Sequence, residues 1–284
     1  MNRKTFTSIY EKAVLAFPVL GIIIAIGYFL ALKNDFEYSI QHFTTDSVWF
    51  WVFAIPAAVA CALAIVLALL PKKTAAIAIM PIPTPAALFA TLFGAVMCVG
   101  VLITETKVTP AQIISPVQKV GSLLSVFIAL TMALACVKKY RTGLLHKISS
   151  ILAVLSINAT MFACYFDFSQ PLNGPVRNVT TIVQAAVLLF LISEMRLSFG
   201  LPAKRVTTVL YVLSSCATAS LALGFSFGGM LYKIFESNPA DPNPALLRLG
   251  IYLAVSIFAL DRALQLPKIT SDPIKEPEAN TTKK

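Results

Sequence analysis

Charge is scarce in this chain. Only 13% of its 284 residues are Asp, Glu, Lys or Arg, against roughly a quarter in a soluble domain. With 57% hydrophobic residues and a mean hydropathy of +0.80, a water-soluble fold would have to hide more apolar surface than a single core can hold. A bilayer removes that requirement, because apolar side chains can then face lipid.

Histidine is nearly absent. The two residues, His42 and His146, both fall in connections between apolar stretches, which argues against haem held between facing helices. The five cysteines, Cys61, Cys98, Cys136, Cys164 and Cys216, each lie inside an apolar stretch, with no CxxC or Cys/His spacing. They read as small buried hydrophobes rather than disulfide partners or zinc ligands, so neither metal nor cofactor is expected. HExxH, GxSxG and P-loop motifs are missing, as are paired aspartates on adjacent apolar stretches. Long polar connections are missing too, which leaves no soluble domain between the apolar stretches.

What the chain does have is eight stretches near the length of about 20 residues that crosses a bilayer. They are 13–32, 48–70, 86–103, 120–137, 148–166, 179–195, 206–225 and 245–264. The first is too long for a signal-peptide core and no small-residue cleavage site follows it, so it reads as a retained span. Trp49 and Trp51 open the second at headgroup depth. Residues 265–284 are polar, Pro-containing and mixed in charge, and read as a disordered cytoplasmic tail. The expected fold class is all-α: a polytopic transmembrane helical bundle of about eight spans, one domain over residues 1–264.

Orientation follows from the basic residues. The formal net charge is +10. If the N-terminus is inside, 17 of the 23 Lys and Arg fall on the inner side, and the bias alternates from connection to connection. The positive-inside rule then places both ends in the cytoplasm. The excess positive charge reads as facing anionic lipid, not nucleic acid. The partners expected are membrane lipids and either another membrane protein or a second copy of the chain.

An ionisable side chain inside a membrane marks function by default. Spans one to five and span seven hold none in their interiors, which argues against a proton pump or a cation antiporter. The exceptions sit near helix ends: Glu194 and Arg196, Arg248, and Asp261 with Arg262. Glu194 and Arg196 are two apart and so do not share a helix face; a partner for Glu194 must come from another helix. Arg248 and Arg262 read as anchors that snorkel to the interface.

The most distinctive segment joins spans five and six. Asp167 stands where span five leaves the bilayer, Pro171 and Pro175 restrict the backbone, and Asn173-Gly174 is strong turn chemistry. Asn173 is expected to cap the next helix, with Pro175 in its first turn. Arg177, Thr181 and Gln184 then form a polar stripe. Two readings stand: a tight capped turn leading into a helix packed by hydrogen bonds, or a rigid outer vestibule in which Asp167, Arg177 and Gln184 touch a ligand. Asn158, near mid-depth, is either a helix-bridging amide or a ligand contact. Ser220, Gly224 and Gly228 form a small-residue packing stripe of the kind that also drives dimerisation. Gly228-Gly229 is expected to break that helix before Tyr232.

The run Asp167, Pro171, Leu172, Asn173, Pro175 and Arg177, followed by an apolar helix ending in Ser193-Glu194-Met195-Arg196, resembles a stretch of uncharacterised multi-spanning integral membrane proteins of clostridial-type bacteria. Outside this stretch the likeness is one of hydropathy pattern. The resemblance implies a multi-pass protein of the bacterial inner membrane and implies no activity.

Three function classes fit these residues. The first is a non-enzymatic membrane component that docks a partner, from the small-residue stripe, the absent catalytic motifs and the basic inner face. The second is a permease or substrate-binding membrane subunit for a neutral or amphipathic small molecule, with Gln184, Arg177 and Asn158 lining its cavity. The third is an intramembrane lipid-active enzyme, which needs Glu194 or Asp261 to meet other polar groups in one inner-leaflet pocket.

Overall fold

In hydrocarbon every backbone N–H and C=O must be satisfied within its own segment, so apolar stretches of this length close into α-helices. The computed structural model describes residues 10–37, 39–44, 46–69, 84–107, 116–137, 139–141, 143–166, 171, 174–200, 205–236 and 244–269. It contains eight helices long and apolar enough to cross a membrane. The helices are α1 (Ala16–Asn34), α2 (Val48–Leu69), α3 (Pro85–Lys107), α4 (Pro116–Leu124), α5 (Val126–Cys136), α6 (Leu144–Tyr165), α7 (Pro175–Ser198), α8 (Arg205–Ala217), α9 (Leu223–Glu236) and α10 (Pro244–Ile269). A short helical segment over residues 10–14 precedes α1 and starts the first span at Tyr10; α4 and α5 together make the fourth span. The seventh runs from Val206 to Phe235 through α8, a π-helical turn at Thr218–Ala222, and α9.

Two short strands, β1 (Phe36–Glu37) and β2 (His42–Phe43), form an antiparallel hairpin between α1 and α2. Ser47 closes the base of this loop by donating to the Asp35 carboxylate at 2.5 Å. Gln41 at its tip has φ 52°, a left-handed conformation that costs a non-glycine residue energy. The hairpin marks one end of the bundle, called here the hairpin end; the opposite end is the far end.

Spans seven and eight lie at the centre. Helix α9 packs on α1 and α10, α8 on α2 and α7, and α10 on α3. Helices α5, α6 and α7 complete the other side. The reason is visible in α3. Ala87, Ala90, Cys98 and Val101 are small or compact and buried against this centre, whereas Phe89, Leu92 and Val96 point outward, Leu92 at 70% exposure. Large exposed aliphatic and aromatic side chains of this kind clothe nearly every helix, a surface that belongs against lipid.

Three sequence expectations change here. Gly228-Gly229 does not break the seventh span; α9 continues to Glu236. Both glycines serve close helix approach, which membrane helices tolerate, and the irregularity sits earlier, at Thr218–Ala222. The N-cap position of α7 is held by Gly174, with no side-chain cap and Pro175 in the first turn; Asn173, expected there, lies outside the described residues, as does Asp167. The last helix runs past Leu264 to Ile269, and residues 270–284 lie outside the described residues. Of the cysteines, Cys98 and Cys216 are buried, and Cys61, Cys136 and Cys164 are half-buried.

Candidate functional site

At the hairpin end, α1, β1, α4, α6, α7, α9 and α10 converge on a cavity of about 430 Å³. Its walls are largely apolar, with Leu32, Phe36, Val179, Val183, Phe225 and Leu249 among them. Its polar groups are Gln184, Tyr252, Tyr28, Tyr232, Thr160, Thr180, Gln118, Cys164, Lys233 and Arg248, with Gln41 of the hairpin tip at the margin. Fixed polar groups in a largely apolar cleft of this size are the usual make-up of a small-molecule site.

Gln184 is the best-defined of these groups. Only 4% of it is exposed. Its amide nitrogen donates to the Tyr252 hydroxyl at 3.2 Å. Its amide oxygen is buried and meets no hydrogen-bond partner among the described residues. An unpaired buried acceptor costs about 1–3 kcal/mol, so the site is energetically incomplete without a donor from outside the chain.

Arg248 borders the same cavity from near the start of α10, and it is already held. It forms an ion pair with Glu105 at the end of α3 and donates to Ser122 at 3.3 Å. The Gln118 amide oxygen, in the orientation that satisfies both groups, accepts from it at 2.7 and 2.6 Å. Arg248 is therefore a structural clamp between α3, α4 and α10 rather than a lone interfacial anchor. Glu105 and Lys233 stand inside the helices because these run further than the apolar stretches alone required.

The remaining sequence candidates divide. Arg177 is buried, but it turns from the cavity toward the end of α6, donating to the Tyr165 carbonyl with its guanidinium 5.8 Å from the Tyr165 ring. It satisfies one of the acceptors left at a helix C-terminus. Asn158 is exposed and donates to the Val154 carbonyl of its own helix at 2.9 Å; it neither bridges helices there nor reaches the cavity. Replacing Asn158 by Leu is accordingly expected to change thermal stability by no more than about 0.5 kcal/mol and to leave ligand retention intact, measured by melting in detergent and by native mass spectrometry.

A second polar cluster lies at the far end. Glu194 and Arg262 are 1% and 0% exposed and pair across α7 and α10 at 3.2 Å. The Tyr211 hydroxyl of α8 donates to the same Glu194 oxygen at 2.5 Å. Asp261 accepts from Thr84 at 2.5 Å and from Gln265 at 2.8 Å. Arg196 lies off the Glu194 face and is half-buried. Arg262 is thus no snorkelling anchor; it is a fully buried cation whose guanidinium also stacks 4.6 Å from the Phe258 ring. Glu194 and Gln184 are about 15 Å apart along α7. The interval is filled by buried Val187, Phe190, Leu191, Val255 and Phe258, with the rings of Phe190 and Phe258 6.3 Å apart. The far-end cluster does not border the cavity.

The small-residue stripe is used within the molecule. Ser220, Gly224 and Gly228 are buried, and the two glycines face α1 so closely that a Cβ on either would meet Ile24 or the Ala25 carbonyl. Tyr252, Lys233, Glu105 and Tyr211 are not among the residues that the sequence pattern marks. Of these only Lys233 and Glu105 carried a signal, as lone charges just past the apolar stretches.

The architecture and the buried polar sites define a multi-pass membrane protein. No protein-family model, curated protein or solved structure matches the chain.

Proposed function

We propose that this chain binds a small amphipathic molecule within the membrane, as a permease or as the substrate-binding subunit of a transport system, and that the cavity at the hairpin end is its binding site. The observation that carries this reading is the cavity itself, with mostly apolar walls and, at its lining residue Gln184, a buried amide oxygen that meets no hydrogen-bond partner among the described residues. A ligand with an apolar body and a hydroxyl or amide N–H would complete it. The docked-partner reading loses one of its three supports, because the Ser220, Gly224 and Gly228 stripe is consumed in packing on α1. The lipid-active enzyme loses support as well, because Glu194 and Asp261 are buried among structural partners away from the cavity.

The basic residues favour the far end as cytoplasmic, which makes the hairpin end the outer one, in a bacterial inner membrane. The ligand then enters from the outer side or the outer leaflet, past the strained hairpin tip. The apolar packing around Phe190 and Phe258 and the Glu194–Arg262 pair close the inner side.

Native mass spectrometry of the full chain, extracted in its own lipid, tests this. A small molecule retained one per chain is expected, and Gln184→Leu is expected to weaken its retention about tenfold or more, the equivalent of one lost hydrogen bond to a buried group, with the melting temperature little changed. A stoichiometric second protein with no retained small molecule would overturn the reading in favour of docking.

A further inference from the structure

We infer that the ligand of the hairpin-end cavity carries an anionic group, a carboxylate or a phosphate ester, and that Lys233 is the residue that receives it. This rests on the binding reading given above and names the chemical class of its ligand.

Two cations, Lys233 and Arg248, line the cavity, and no carboxylate lines it among the described residues. The two cations are not equivalent. Arg248 is neutralised by Glu105 and tied down by Ser122. Lys233 projects from α9, half-buried, with no ion pair to any described carboxylate. It is one of the residues that line the cavity. A partly buried ammonium that meets no described carboxylate is costly, and a ligand anion offsets that cost where a neutral ligand does not.

The rest of the lining fits the same molecule. The Gln184 oxygen calls for a donor in the ligand's body. The Phe36, Val179, Val183 and Leu249 walls call for an apolar chain. The ligand class is thus an anionic amphiphile with a hydroxyl or amide N–H between its charge and its hydrocarbon. Such a molecule comes either from the bilayer, as an anionic phospholipid, or from water, as an acylated acid. Lys233 is also separable from the fold: the clamp uses Arg248, so removing the Lys233 charge leaves the clamp standing.

The test uses three probes with one acyl chain: N-lauroylglycine, N-lauroylethanolamine phosphate, and uncharged N-lauroylethanolamine. Each is titrated against the full chain in a non-ionic detergent and followed by native mass spectrometry. The two anions are expected to bind about tenfold or more tightly than the neutral probe, the gain of one charge-assisted hydrogen bond. Lys233→Gln should bring all three to the neutral level, and Lys233→Arg should keep the preference. Equal binding of the three by the unaltered chain, with Gln184→Leu still weakening each, overturns the anion assignment and leaves the binding reading standing. An anion preference that survives in Lys233→Gln overturns the role of Lys233. Failure of all three probes to bind removes the binding reading itself. Where the anion preference holds, displacement by phosphatidylglycerol identifies a bilayer lipid as the source, and displacement by aqueous N-hexanoylglycine but not by phosphatidylglycerol identifies a water-borne one; both support the proposal.

Discussion

Replacing Arg262 by Met is expected to destabilise the detergent-solubilised chain by about 3–5 kcal/mol, the range observed when one partner of a buried ion pair is removed. Arg262 is wholly buried. Its guanidinium pairs with Glu194 at 3.2 Å and covers the Phe258 ring. Methionine fills much of the same volume, so the cost is chiefly electrostatic. Glu194 is left with the Tyr211 hydroxyl at 2.5 Å and without the one cation that an ion pair gives it among the described residues. Glu194→Leu should cost a similar amount for the mirror-image reason, since it removes the carboxylate that pairs with a wholly buried guanidinium. The double variant Glu194→Leu/Arg262→Met removes both charges at once and is expected to recover most of either loss, because apolar replacement of a whole buried pair is often neutral. Thermal and denaturant unfolding of the four proteins closes the cycle. A double variant whose loss equals the sum of the singles would show that the two charges do not stabilise one another. The effect should also be nearly independent of salt, since burial shields the pair from mobile ions.

The eight spans were legible because hydropathy sums over about 20 residues, and a sum of that length tolerates errors at single positions. The neighbours of each helix were not legible, and the reason is physical. In lipid the outward face is as apolar as the inward one, so no period separates them. Helix α3 shows this: Leu92 and Cys98 are both apolar, yet one faces out and the other is buried. Helix ends were misjudged where charge follows the apolar stretch. Glu105 stands just beyond the expected end of its span, yet it is buried inside the bundle because Arg248 from a helix far away in sequence meets it there. The site was legible in part. Gln184 was singled out from its stripe, but Arg177 on that stripe is drawn sideways to the end of α6, and nothing in the spacing of residues 177, 181 and 184 distinguishes the two. Tyr252 could not have been found, because an isolated tyrosine in an apolar span carries no signal until its partner is known.

Gly228→Ala is expected to destabilise the chain by about 1–3 kcal/mol or more, although alanine is the better helix former. A Cβ at Gly228 would stand 2.5 Å from the Ala25 carbonyl oxygen, and one at Gly224 would stand 2.6 Å from Ile24 and 2.8 Å from the Gly21 carbonyl. Backbone atoms cannot rotate away, so α9 must move off α1. Gly100→Ala supplies the contrast. Its added Cβ meets only the flexible end of Leu247 at 3.2 Å, so the roughly 1 kcal/mol gain in helix propensity is expected to leave it neutral or slightly stabilised. The same displacement of α9 reaches the cavity, because Phe225, Gly229 and Lys233 of this helix line it. Gly228→Ala should therefore lose bound ligand at temperatures where the chain is still folded, which melting curves and native mass spectrometry can separate. Had the stripe served a dimer, the outcome would be the reverse: a changed oligomeric mass in size-exclusion chromatography with the melting temperature of the single chain preserved.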